Sequence, residues 1–134
     1  MKKILLIFLF LIASAEQAYC QKEQLWGAPP EEITEICGKR YELVSQEAEA
    51  PYISLTYRER PGLDITFFFK NERLISITFE ANPSLVSIKT PVGEKKTAAN
   101  GQSAWFNYAK NYMTRREYHN GLTIDIQTAI EDPQ

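Results

Sequence analysis

From residue 52 to residue 80 apolar and polar positions alternate. The stretches "YISLTY" (52–57), "LDITFFF" (63–69) and "LISITF" (74–79) are rich in β-branched and aromatic residues, with "RERPG" and "KNER" between them as turn material. That pattern predicts a three-stranded antiparallel meander. Alternation assigns Ile53, Leu55, Tyr57, Leu63, Ile65, Phe67, Phe69, Ile75, Ile77 and Phe79 to a core face. The opposite face carries Tyr52, Ser54, Thr56, Arg58, Asp64, Thr66, Phe68, Lys70, Ser76, Thr78 and Glu80. It is a carpet of short hydroxyls with one central aromatic and charges at its ends, either solvated or available for binding.

The spacing changes upstream, in "WGAPPEEITEICGK" (26–39). Pro29 and Pro30 suit the start of a helix, where a missing N–H costs nothing, and Glu31 and Glu32 set negative charge against the helix dipole. Ile33, Ile36 and Cys37 then share one face at helical spacing, and Gly38 suits a left-handed stop followed by Lys39 and Arg40. So short a helix is unstable alone in water and is expected to lie on the apolar side of the meander.

Downstream, "NPSLVSIKTPVGEKKTAANG" (82–101) is broken by prolines and glycines and reads as a long surface loop, with one short strand at "LVSIK" (85–89). In "QSAWFNYAKNYM" (102–113), Trp105, Tyr108, Ala109 and Tyr112 form a stripe at helical spacing, widened by Phe106 and Met113, which predicts a second helix. A closing hairpin is expected over 115–128, turning at "HNG" with Leu122, Ile124 and Ile126 facing inward. "YRERPGLDITF" and "REYHNGLTIDI" echo each other, the mark of a weak repeat of helix plus hairpin. The expected fold class is α+β: an antiparallel meander with two short helices packed on one face.

The N-terminus concerns destination. Lys2 and Lys3 precede the apolar run "ILLIFLFLI" and the small residues Ala13, Ser14 and Ala15, the layout of a secretory signal peptide occupying 1–20. Cleavage after Ala15 and cleavage after Cys20 both fit, leaving a single α+β domain over 21–134. The apolar run falls short of the roughly 20 residues a membrane span needs, and the rest of the chain offers none. A lipid-anchored Cys20 is disfavoured by the bulky Tyr19 before it. If Cys20 is retained, it can pair with Cys37 in an oxidising compartment; otherwise Cys37 is a small core residue. The expected location is periplasmic or extracellular.

Removing Lys2 and Lys3 from 15 basic residues leaves 13 against 17 acidic, a net charge of −4 for cleavage after Ala15. Such a mildly acidic chain offers no electrostatic footprint for nucleic acid or anionic membrane. Catalytic signals are as thin. "NGQSAW" places Trp105 where a nucleophile elbow needs its second glycine, so Ser103 reads as a helix N-cap. His119 is the only histidine, which excludes a histidine-rich metal site, and within "HNG" it reads as a turn residue. The acidic residues are scattered, with no pair set apart by its surroundings. No cofactor is implied.

The spacing of Gly27, Ile33, Ile36, Gly38 and Lys39, together with "LDITFFFKNERLISI", resembles the opening and the hairpin of small bacterial outer-membrane-assembly lipoproteins of the SmpA/OmlA type. The resemblance covers residues 26–79. It implies a helix-on-sheet fold shared with β-lactamase-inhibitor-like proteins, whose members bind other proteins and catalyse nothing. The expected function is therefore an exported, non-catalytic binding module of the bacterial envelope, engaging a protein partner through Tyr52, Thr56, Thr66, Phe68 and Thr78. Two alternatives stand beside it: a small apolar-ligand carrier with a pocket between a 102–113 helix and the sheet, and a small secreted hydrolase.

Overall fold

A computed structural model describes residues 25–131. The expected signal peptide, its cleavage site and Cys20 lie outside the described residues. The fold is mainly β, which corrects the expected α+β class. Among the described residues a single antiparallel sheet of eight strands is accompanied by one α-helix, α1 (Pro30–Cys37). In chain order the strands are β1 (Glu42–Glu49), β2 (Tyr52–Arg60), β3 (Leu63–Lys70), β4 (Arg73–Ala81), β5 (Glu94–Thr97), β6 (Ser103–Asn107), β7 (Tyr112–His119) and β8 (Leu122–Ala129). In space they run β1-β2-β3-β4-β8-β7-β6-β5. Two four-stranded meanders are thus joined side by side through their last strands. Only the first carries a helix, so the expected repeat of helix plus hairpin survives as a repeat of strands alone.

The predicted meander is present as β2, β3 and β4, with one change of phase. Asn71 and Glu72 both take positive φ in the tight turn after β3, which pairs Lys70 with Arg73 and Phe69 with Leu74. A register shift then sets Phe68 opposite Ser76 and Phe67 opposite Ile77. Ile75 is the extra residue of this bulge, and Leu74, fully buried, takes the core position expected of Ile75.

The helix begins and packs as its pattern requires. Ile33 and Cys37 are fully buried, and Ile36 packs at the margin of the same cluster. They close over Leu55, Tyr57, Ile65, Phe67, Phe69, Leu74 and Ile77, with Tyr57 and Phe67 meeting edge to face at 6.1 Å between centroids. The chain before the helix is stitched to β4: Gly27 N–H donates to Leu74 O at 3.0 Å and Leu74 N–H to Ala28 O at 2.9 Å. Gly38 is not left-handed, for its φ is −65°. Its lack of a side chain answers a different need, since a Cβ there would lie 2.5 Å from the Thr34 carbonyl oxygen.

Residues 102–113 form no α-helix. They are β6, a single 3-10 turn (Tyr108–Lys110) and the start of β7. Asn107 accepts from Lys110 N–H at 3.2 Å, and Asn111 sits at φ 61°, so the two asparagines turn the chain back on itself. The helical stripe is thereby dispersed. Trp105 lies opposite Thr114, Tyr112 is buried at the start of β7, and Tyr108 is 54% exposed in the turn. The strand foreseen at 85–89 is absent, and the loop's only strand is β5, further on. Missing from the sequence reading altogether was β1, whose eight residues are all exposed. An edge strand of that kind has no apolar alternation to betray it.

Candidate functional site

The face of the sheet opposite α1 has no layer over it among the described residues. Register places the expected binding residues on this face. Thr56, Thr66 and Thr78 stand abreast on β2, β3 and β4, with the first two hydroxyls sharing a hydrogen bond at 2.9 Å. Phe68 lies in the neighbouring row between Ser54 and Ser76 and is 41% exposed. Tyr52, 43% exposed, stands at the end of β2 opposite Lys70. All five expected residues therefore share one surface. Tyr52 and Phe68 also line a shallow groove of about 540 Å³ with Ser54, Glu47 and Glu49.

The surface extends beyond what the sequence suggested. Thr78 pairs with Ile126 and Glu80 with Ile124, so the second meander continues the same face. Ile124 and Ile126 thus point away from α1, against the expectation that the closing hairpin turns its aliphatic residues inward, and Leu122 shares their side of β8. The helix-side positions of β8 are Thr123, Asp125 and Gln127, opposite Ala81, Phe79 and Ile77. Alternation was legible in "LTIDIQT"; which side carried the helix was not. Met113, opposite Thr128, and Phe106, opposite Met113, complete an apolar strip across β6 to β8.

One ion pair joins neighbouring strands on the open face. The Arg58 guanidinium grips the Asp64 carboxylate through two hydrogen bonds of 2.9 and 3.3 Å, and this contact pushes the arginine pKa up. At the far edge Phe106 and Tyr108 stack at 5.7 Å. Lys96 lies 5.2 and 5.1 Å from their ring centres and donates to the Tyr108 hydroxyl at 2.6 Å, a bond that raises its pKa.

The residues weighed for catalysis occupy three unrelated settings. Cys37, the last residue of α1, is buried in the core. Ser103 opens β6 rather than capping a helix, and its hydroxyl shares a hydrogen bond with Thr97 at 2.9 Å. His119 is exposed beside the tight turn at Asn120 and Gly121, 3.3 Å from Glu117. Among the described residues no group of three His, Cys, Asp or Glu side chains is placed to hold a metal ion, and no helix is long and apolar enough to cross a membrane. Comparison with family models, with curated proteins and with solved structures yields no significant match.

Proposed function

We propose that this protein is an exported, non-catalytic binding module of a bacterial envelope that docks a protein partner on the open face of its sheet. The observation carrying the reading is the gathering of Tyr52, Thr56, Thr66, Phe68 and Thr78 on one uncovered surface, with two large aromatics exposed at its centre and end. Exposed aromatics set among short hydroxyls suit recognition, because rigid rings supply contact area at little entropic cost while hydroxyls adapt their hydrogen bonds. Glu47 and Glu49 border the groove beside them. A partner inserting a basic or aromatic side chain there meets complementary charge at the rim and apolar surface at the floor. The apolar run at 4–12 and the small residues that follow support export. The resemblance of residues 26–79 to outer-membrane-assembly lipoproteins supports an envelope setting. The carrier alternative loses the pocket first assigned to it, because 102–113 is part of the sheet and no helix stands off from it.

The test is affinity capture from native envelope and culture-supernatant fractions with wild type and a Thr66→Lys/Phe68→Glu variant, followed by reconstitution of the captured partner as a purified pair. A partner that binds wild type at fixed stoichiometry and is lost with the variant is the expected result. A partner held equally by both, or none in either fraction, would falsify the docking assignment.

A further inference from the structure

The helix-side face of the sheet beyond β4 is not covered by α1. Instead the 82–93 loop crosses it and leaves a cavity of about 580 Å³ underneath. Arg116, on β7, straps this loop in place by donating to the Lys89 carbonyl at 2.6 Å. On the cavity floor Thr114 and Gln127 stand directly opposite each other on β7 and β8. Thr114 is only 2% exposed, yet its Oγ1 has no hydrogen-bond partner, and Gln127 Oε1 has none either. Native interiors seldom leave polar atoms in that condition, and these two adjoin an open volume of the size that small molecules occupy.

We propose that this cavity binds a small uncharged molecule with a carboxamide or hydroxyl head and an apolar body. The head follows from the floor. A threonine hydroxyl can donate and the glutamine carbonyl oxygen can only accept, so a group that accepts one hydrogen bond and donates another complements both. Neutrality follows from the charges at the sheet side of the cavity, which already have partners; Lys89, the other charge of the lining, lies on the loop and is exposed. Arg116 holds Asp125 through bonds of 2.7 and 2.9 Å, and Arg60 holds Glu59 at 2.9 Å. An ionised head would be desolvated on that floor without a counter-ion. The apolar body meets Leu63, Phe79, Val86 and Val92. This site and the partner-docking surface lie on opposite faces of the sheet, so each can fail without the other.

The experiment titrates isotopically labelled protein with octanamide and 1-octanol, following backbone amide shifts, with octanoate as the charged counterpart. Saturable shifts centred on Thr114, Gln127, Val86 and Val92 are expected, with octanoate at least tenfold weaker. Thr114→Val, which keeps shape and deletes the hydroxyl, is expected to weaken binding about tenfold. Val92→Glu places a charge at the loop rim, where the side chain is 67% exposed and the fold is not at risk; it should weaken binding comparably and decides the matter if Thr114→Val misfolds. Absence of saturable shifts with both neutral probes means that the cavity holds only water and overturns the proposal. So does octanoate binding as tightly as octanamide, or an affinity untouched by these substitutions.

Discussion

At the scale of single residues, burial decides what each side chain contributes. Ile33 has no solvent exposure and closes the helix onto the sheet. Ile33→Asp buries a carboxylate with no partner and is expected to cost about 3–5 kcal/mol, measured by chemical denaturation. An unchanged melting curve would reject the packing of α1. Arg116 works differently, joining Asp125 on the neighbouring strand to the backbone of the 82–93 loop. Its side chain and that of Asp125 are only 14% and 21% exposed, and the bond to Asp125 holds the arginine pKa above its usual value despite the opposing effect of burial. Arg116→Met strips the strap from the loop and leaves Asp125 unpaired. The expected cost is about 1–3 kcal/mol, with faster amide exchange through residues 86–92. Exchange rates unaltered in that segment would show that the loop is held by something else. Helical spacing in the sequence already assigned Ile33 to the packed face of α1, whereas Arg116 was visible there only as a charge, because its partners on β8 and in the loop are distant along the chain.

At the scale of elements, turn chemistry and pairing outweigh local periodicity. The stripe of aromatics at 105, 108 and 112 satisfies a helical template, yet the same residues lie in two paired strands and the turn between them. Two asparagines suited to turning the chain, and a β7 strand offering a full ladder, outcompete a helix whose stripe would have had to find its own apolar surface. The bulge at Ile75 shows the same hierarchy, because a tight turn at Asn71 and Glu72 sets the pairing before hydrophobic phase can. Turn geometry also makes Gly62 a sensitive position. Its φ is +90°, Asn82 N–H donates to its carbonyl at 2.8 Å, and a Cβ would lie 2.7 Å from the Leu85 Cβ. Gly62→Ala is expected to lose at least about 1 kcal/mol in a thermal melt through backbone strain and displacement of Leu85. A melt matching wild type would mean that the turn relaxes without penalty.

At the scale of the whole molecule, two meanders joined through β4 and β8 share one sheet but not one covering. Over the first, α1 closes a dry core; over the second, a strapped loop leaves a cavity with a polar floor. The opposite face is continuous across both, and that continuity sets the width of the proposed docking surface. The double variant Thr66→Lys/Phe68→Glu changes only this face but deletes the Thr56–Thr66 hydrogen bond, so its unfolding free energy is expected to fall by no more than about 1.5 kcal/mol. A larger loss would mean that the face is part of the folded interior and unsuited to docking. The sequence by itself determined the elements whose signals are local: the β2 to β4 meander, the short helix with its buried Ile33 and Cys37, the β7–β8 hairpin, and the shared face of Tyr52, Thr56, Thr66, Phe68 and Thr78. Alternation and turn residues act within about ten positions and need no knowledge of the rest of the chain. Only the tertiary structure decided that β8 lies against β4, that Ile124 and Ile126 therefore face away from the helix, and that Thr114 and Gln127 floor a cavity. Pairing between distant strands settles which side of an alternating segment becomes the interior, and no periodicity within the segment carries that information.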